Sequence, residues 1–236
     1  MHIPDGWIDL PTSVAGAAVA LGAVTVAARR ASVAFAEKVT TLPAVVAAYL
    51  LVAQLLVLPV GLGTSAHLVG TGLAALLVGP AIAIVCVAVV VVVQALLLAD
   101  GGVTAIGLNI VNDGIVPALV AWGVFRIGRD RVRSQRAVAT LAGVAAGTAT
   151  VAVGLAVSGV FALGGTDAVP ARVVASALTG SHLVLAVVEG LLTAAIVTAI
   201  LRLRPDLVRA ARTVMAPTPD PTSPTTTAEA TTGSAP

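Results

Sequence analysis

The sequence predicts an all-α membrane protein, a compact bundle of seven transmembrane helices with the N-terminus outside and the C-terminus cytoplasmic. Three observations lead there. Hydrophobic residues make up 58% of the 236 positions and charged ones only 10%, with a mean hydropathy of +1.06; no soluble domain of this size has that composition. The apolar residues fall in runs of about twenty, the length a helix needs to cross a bilayer. With seven spans, 12 of the 13 Lys and Arg lie on one side and only Arg172 on the other, which is the bias of cytoplasmic loops.

Leu10 to Ala28 is the first span, closed by Arg29-Arg30, and Ala31 to Thr41 reads as a short amphipathic connection. Leu42 to Val60 is the second span, followed by a glycine-rich turn from Gly61 to His67. The stretch Leu68 to Leu98 is too long for one ordinary helix and is interrupted at Gly79-Pro80. A hairpin of two spans keeps the Arg126 to Arg136 cluster cytoplasmic, whereas one bent span would place it outside, so the hairpin is expected. Asp100-Gly101-Gly102 marks the next outer turn, and Ala105 to Phe125 is the fifth span. Ala137 to Leu163 is the sixth, with Gly143 and Gly147 at a helix-packing spacing. An outer loop containing Asp167 leads to the seventh span, Val173 to Leu201. The chain thus divides into an external segment, 1–9, a membrane domain, 10–203, a basic juxtamembrane segment, 204–215, and a Pro/Thr-rich tail, 216–236, expected to be disordered. Aromatics are only 3%, and the abundant small residues allow close helix–helix approach in lipid.

Several functions have no basis here. A net charge of +2 gives no case for nucleic acid, and the lone Cys86 excludes an intrachain disulfide. There is no HExxH, Walker A loop or CxxC pair. Asp5 and Asp9 precede the first apolar run while Arg29-Arg30 follow it, the reverse of a secretory signal, so the opening residues are expected to persist on the external face.

Those opening residues, Met1-His2-Ile3-Pro4-Asp5-Gly6, carry the main chemical signal. The α-amine of Met1, the ionised amide nitrogen of His2 and its imidazole Nδ1 close a five- and a six-membered chelate ring around one metal ion. Three nitrogens near one plane suit Ni(II) or Cu(II) and leave a fourth position open. Pro4 restricts the backbone and Asp5-Gly6 folds the segment back. The expected topology puts His67 in the same compartment, available for the fourth position. The plainer reading of His2 is a solvated terminal residue.

Polar residues within the spans are the second signal, because burying them in lipid is costly. Asn109, Asn112 and Asp113 share one helix face at i, i+3 and i+4. His182, Ala186, Glu189 and Thr193 share another, with Glu189 on the order of 10 Å deeper than His182. Gln94, Asn112 and Thr193 are expected to make interhelical hydrogen bonds. Asp113 and Glu189 each need a proton, a cation or a partner, and His182 is expected to orient a ligating imidazole. Two rivals to a chelating terminus stand open: a membrane-embedded metalloenzyme or metal sensor built on His182, Glu189 and Asp113, and a structural bundle without ligand.

The opening hexapeptide, Thr64-Ser65-Ala66-His67-Leu68, Gly79-Pro80, the run from Gln94 to Gly102, Gly107-Leu108-Asn109 and the Ser181-His182 to Glu189-Gly190 helix together resemble the CbiM/NikM family. These are the substrate-binding membrane components of energy-coupling-factor (ECF) ABC transporters for cobalt and nickel. The resemblance runs from Met1 to about Leu203. It implies a bacterial plasma-membrane protein with a seven-helix bundle that binds Co(II) or Ni(II) as its transported substrate, cobalt the first choice, through Met1, His2 and His67. Asp5, Asn109, Asn112, Asp113, His182 and Glu189 would form its surroundings or pathway. It also implies a transmembrane coupling protein, ATPase subunits and a small accessory membrane subunit as partners, with no enzymatic activity in this chain. Asp113 departs from the family pattern, which has an uncharged residue there.

Overall fold

In the computed structural model, residues 2–37, 41–61, 64–166 and 170–215 are described. Lys38, Asp167, the tail from Ala216 and the Met1 ligand position lie outside them. Eight helices and a β-hairpin build the membrane part: α1 (Leu10–Glu37), α2 (Leu42–Leu55), β1 (Val57–Gly61), β2 (Thr64–His67), α3 (Thr71–Val78), α4 (Pro80–Leu97), α5 (Ile106–Ile110), α6 (Val116–Gly128), α7 (Gln135–Gly164) and α8 (Ala171–Leu203). A short α9 (Arg209–Met215) lies beyond them. A π-helical turn, Val111–Ile115, joins α5 to α6 into one continuous rod.

Five of these segments are long and apolar enough to cross a membrane: Leu10–Val33, Pro80–Leu97, Ile106–Arg131, Gln135–Gly164 and Arg172–Leu203. Val184, Val187 and Leu191 on α8 are 67%, 62% and 69% exposed, an apolar face that belongs against lipid rather than water. The chain is a multi-pass membrane protein.

Three elements differ from their sequence-based boundaries. The first helix runs through Arg29-Arg30 to Glu37, because nothing between Val24 and Glu37 breaks a helix; the arginines mark a change of surroundings, not of conformation. The second helix stops at Leu55. In a continuing helix, Pro59 would offer no N–H and would collide with the carbonyl of residue 55. The chain turns instead into an antiparallel pair, β1–β2, in which Val57 faces His67 and Leu58 faces Ala66, so the predicted glycine-rich turn is partly sheet. Finally, α3 has only 8 residues, about 12 Å of rise, well short of a bilayer core of about 30 Å.

All eight residues of α3 are buried. It lies in the centre of the bundle, packed with α4, α6 and α7 in one apolar cluster that includes Leu76, Val87, Ala121 and Ala145. The chain reverses at Gly79, whose φ of +89° is a conformation L side chains rarely adopt. The Arg209 side chain packs over that turn. One end of the bundle therefore carries Gly79 and Arg209, while the segments before α3 and after α4 return to the opposite end.

The two long helices α7 and α8 pack closely along their seam. A Cβ on Gly143 would stand 2.5 Å from the carbonyl oxygen of Gly190, and one on Gly147 2.8 Å from that of Ala186. Backbones this close need glycine, which is the physical content of the Gly143/Gly147 spacing. The approach sets the depth of Glu189 and His182, which α8 presents to the bundle interior.

Candidate metal centre

The N-terminal segment is strapped to the bundle rather than solvated. Asn109 on α5 grips the Ile3 peptide from both sides: Ile3 N–H donates to Asn109 Oδ1 at 2.8 Å, and Asn109 Nδ2 donates to Ile3 O at 3.2 Å. Gly102 N–H donates to the same carbonyl at 2.9 Å. Asp5 accepts from the amides of Val103 and Thr104, at 3.1 and 2.8 Å, and from the Thr104 hydroxyl at 2.5 Å. Further along, Asp9 N–H donates to Gly164 O at 2.7 Å, and Trp7 packs edge-on against Phe161. A Cβ on Gly101 would stand 2.7 Å from that of His2, and one on Gly102 would collide with the Asp5 amide. The two glycines exist so that the strap can lie flat on this loop.

The result is a buried His2, 8% exposed. Thr104, through its hydroxyl and then its amide, holds the Asp5 carboxyl below the usual carboxylate range. A native pKa below the unfolded value means that stabilisation is present above about pH 4 and is lost as pH falls through the depressed pKa. Protection of the Ile3 amide from hydrogen exchange should therefore hold from neutral pH down to about 4 and fall below it. An Asp5→Ala variant should lose that protection at every pH.

His67, at the end of β2, is fully buried. Its Nδ1 lies 3.0 Å from Leu68 O; a carbonyl only accepts, so Nδ1 carries the proton and Nε2 keeps a bare lone pair. Burial holds His67 well below the usual imidazole range, hence neutral, the state that ligates metal. The residues after it are fixed by two helices. Gln54 on α2 donates to Val69 O at 3.3 Å. Glu189 on α8 accepts from the amides of Val69 and Gly70 and, at 3.0 Å, from the Thr150 hydroxyl on α7. The carboxylate thus meets the two amides immediately before α3, at the end of the helix where the dipole favours negative charge.

Glu189→Ala would orphan those two amides, while the Thr150 hydroxyl would keep Ala146 O at 3.1 Å. At about 1–3 kcal/mol for each buried group left unpaired, the loss of stability should reach about 3 kcal/mol, read by thermal unfolding in detergent.

His2 and His67 face each other, with ring centroids 4.9 Å apart and planes tilted by 36°. Asp113, on the π-helical turn, is 2% exposed and joins them: one donor atom from each of the three lies within 4.8 Å of the others. Its Oδ2 is 3.8 Å from His2 Nε2, too long for a hydrogen bond. Thr71 ties the turn to α3, its hydroxyl donating to Asp113 O at 2.5 Å. On the other side of the His2 ring, Asp100 Oδ1 is 3.3 Å from Nδ1, and the imidazole beside it holds the Asp100 carboxyl below its ordinary range.

The remaining sequence-predicted residues take different places. Asn112 is buried, with no hydrogen bond on either amide atom among the described residues. His182 is buried with its Nδ1 2.7 Å from Leu178 O one turn earlier; its Nε2 has no partner among the described residues. His182 makes no hydrogen bond to His2 or His67 among those residues, so its expected orienting role has no such bond behind it. His182, Glu189 and Asp113 do not converge: the group with metal-ligand spacing among the described residues is His2, His67 and Asp113. Gln54, Thr150 and Asp100 were missed by sequence reasoning. A lone Gln in the apolar run of α2 was the available signal for Gln54.

Comparison with known proteins agrees with this architecture. A metal transport protein of Haloquadratum walsbyi is 39% identical over 213 residues, covering 88% of this chain and 93% of that one. The fused nickel transport protein NikMN of Rhodobacter capsulatus is 32% identical over 230 residues, 92% of this chain and 66% of its own. The crystal structure of a truncated transition metal transporter superposes with a TM-score of 0.73 at 26% identity, covering 86% of this chain and 99% of the other. Residues 2–207 match the profile of CbiM, the cobalt uptake substrate-specific transmembrane region. With the match spanning the whole membrane domain, this chain belongs to the CbiM family.

Proposed function

We propose that this chain is the substrate-capture subunit of an ATP-driven ECF-type importer of divalent transition metal, with cobalt the first choice and nickel a close second. The ion would be held by the α-amine of Met1, the amide and imidazole nitrogens of His2, and His67. The observation that carries this reading is the pair of buried imidazoles facing each other at 4.9 Å, with the bare Nε2 of His67 unpartnered among the described residues. A buried polar atom without a partner is costly, and a metal ion offsets that cost.

In this reading the chain makes seven passes through the bundle, α2 and the short, protein-buried α3 included, and the His2 end faces outward. The basic residues near α9 lie inward, where a transmembrane coupling protein, ATPase subunits and a small accessory membrane subunit would engage the chain. ATP hydrolysed by those partners would drive release of the ion. The chain itself needs no catalytic group, and metal transport is the activity that its relatives' names carry.

Uptake of radioactive cobalt and nickel by cells supplied with this chain and candidate partners tests the function. Uptake should need all components and vanish in a His2→Ala variant. Binding should also weaken as pH falls, because the terminal amine must lose a proton and the amide must ionise. Isothermal titration between about pH 8 and 6 checks this; affinity that rose toward acid pH would contradict it.

A further inference from the structure

The three donors that converge at this end of the bundle include an oxygen that the terminal chelate does not use. His2 Nε2, His67 Nε2 and Asp113 Oδ1 are all buried and lack hydrogen-bond partners among the described residues. No Lys or Arg forms an ion pair with Asp113 among those residues; its ion-pair contact there is His2. Removing a carboxylate from water costs several kcal/mol unless a charge answers it. A proton shared with His2 would require a hydrogen bond, and 3.8 Å is too long for one.

The spacing fits a cation instead. Imidazole and carboxylate donors bind Zn(II)-sized ions at about 2.0–2.2 Å, so two donors on one tetrahedral ion stand about 3.4 Å apart. The ligand atoms here lie within 4.8 Å of one another, and small side-chain rotations close that difference. Two imidazoles and one carboxylate, with water as the fourth ligand, are a set that Zn(II) takes in tetrahedral geometry. Ni(II) in a nitrogen-rich site favours a planar arrangement, which three side chains at this end of the bundle do not supply.

We propose that His2 Nε2, His67 Nε2 and Asp113 form a side-chain site for Co(II) or Zn(II) that needs neither the α-amine nor an ionised amide. The inference rests on the metal-capture reading of this end of the molecule and extends it. The same two histidines hold an ion in two ways, through the main-chain chelate or through Asp113. An ion arriving while the His2 amide still carries its proton would lodge in the side-chain site. Turning the His2 ring to present Nδ1 then passes the ion to the chelate.

The experiment uses the full chain in detergent with several residues added before Met1, which puts the terminal amine out of reach of His2 and blocks the chelate, and takes Co(II) and Zn(II) as probes. The extended protein should bind one Co(II) with the intense visible absorption of a tetrahedral complex, and Zn(II) should displace it. In the same background, Asp113→Asn should lower Co(II) affinity by about tenfold or more, since even a residue that only orients a ligand is worth that much. His67→Ala, read separately in case Asp113→Asn fails to fold, should do the same. An extended protein that binds no Co(II), or binds it equally well with both substitutions, overturns the proposal. The underlying capture reading fails by a different result: Ni(II) affinity unchanged by the extension.

Discussion

A His67→Ala variant is expected to lose Ni(II) and Co(II) affinity by about 100-fold or more while remaining folded. Groups that merely orient a metal ligand change affinity by about 10–100-fold, and His67 is proposed to be a ligand itself. Its bare Nε2 has no hydrogen bond to lose among the described residues, so beyond the volume it fills the imidazole gives the apo fold one hydrogen bond, Nδ1–H to Leu68 O at 3.0 Å. His67→Leu sharpens the distinction. Leu keeps most of that volume and removes an unsatisfied buried nitrogen, which costs on the order of 1–3 kcal/mol in protein interiors. The lost Nδ1 bond to Leu68 O, worth about 0.5–1.5 kcal/mol, offsets part of that gain, so the apo protein should melt near the wild-type temperature and yet bind no Ni(II). Differential scanning fluorimetry with and without metal reads both halves; a His67→Leu variant that binds normally would remove His67 from the site.

Glu189 predicts the opposite pattern. It touches neither imidazole, and its three hydrogen bonds hold the chain immediately after His67. Its removal should cost stability first and metal affinity second, through a displaced His67. Both residues act on the same short backbone segment, and the two variants separate ligand from support.

Much of this was readable because membrane burial makes polar residues conspicuous. Asn109, Asn112, Asp113, His182 and Glu189 stood out against apolar runs, and each is buried in the bundle. The pairing of His2 with His67 came from charge asymmetry alone, since both lie at the end away from the arginine-flanked turn. The hydrogen-bond partners were less legible. Glu189 holds the two amides leading into α3 rather than joining His182, and nothing in helix periodicity reports that α3 is a short buried segment whose approach needs a carboxylate. The β1–β2 hairpin escaped detection because its apolar start continues the run of α2, and only Pro59 marks the change. Asp100 was read as a turn residue. Its place beside His2 Nδ1 depends on the strap formed by Asn109 and Asp5, contacts between residues about a hundred positions apart. Asp113 was noticed as a departure, but its convergence on both histidines needed the coordinates.

The strap has an energetic logic of its own. Asn109, Gly102 and the Asp5 contacts order the first residues before any ion arrives, so the entropy of fixing them, about 1–2 kcal/mol per residue, does not weaken metal binding. The strap reaches as far as His2, and metal capture stands or falls on whether the α-amine before it is used.

The measurement that decides it is a pair of Ni(II) titrations on purified protein, one with a free amine on Met1 and one with several residues added before it, so that no terminal amine lies within chelating reach of His2. The chelate predicts that the extension lowers Ni(II) affinity by at least about 100-fold, because it turns the amine on Met1 into an amide that must ionise before it can bind, while the fold, read by thermal unfolding without metal, is unchanged. Equal affinity in the two proteins would contradict it.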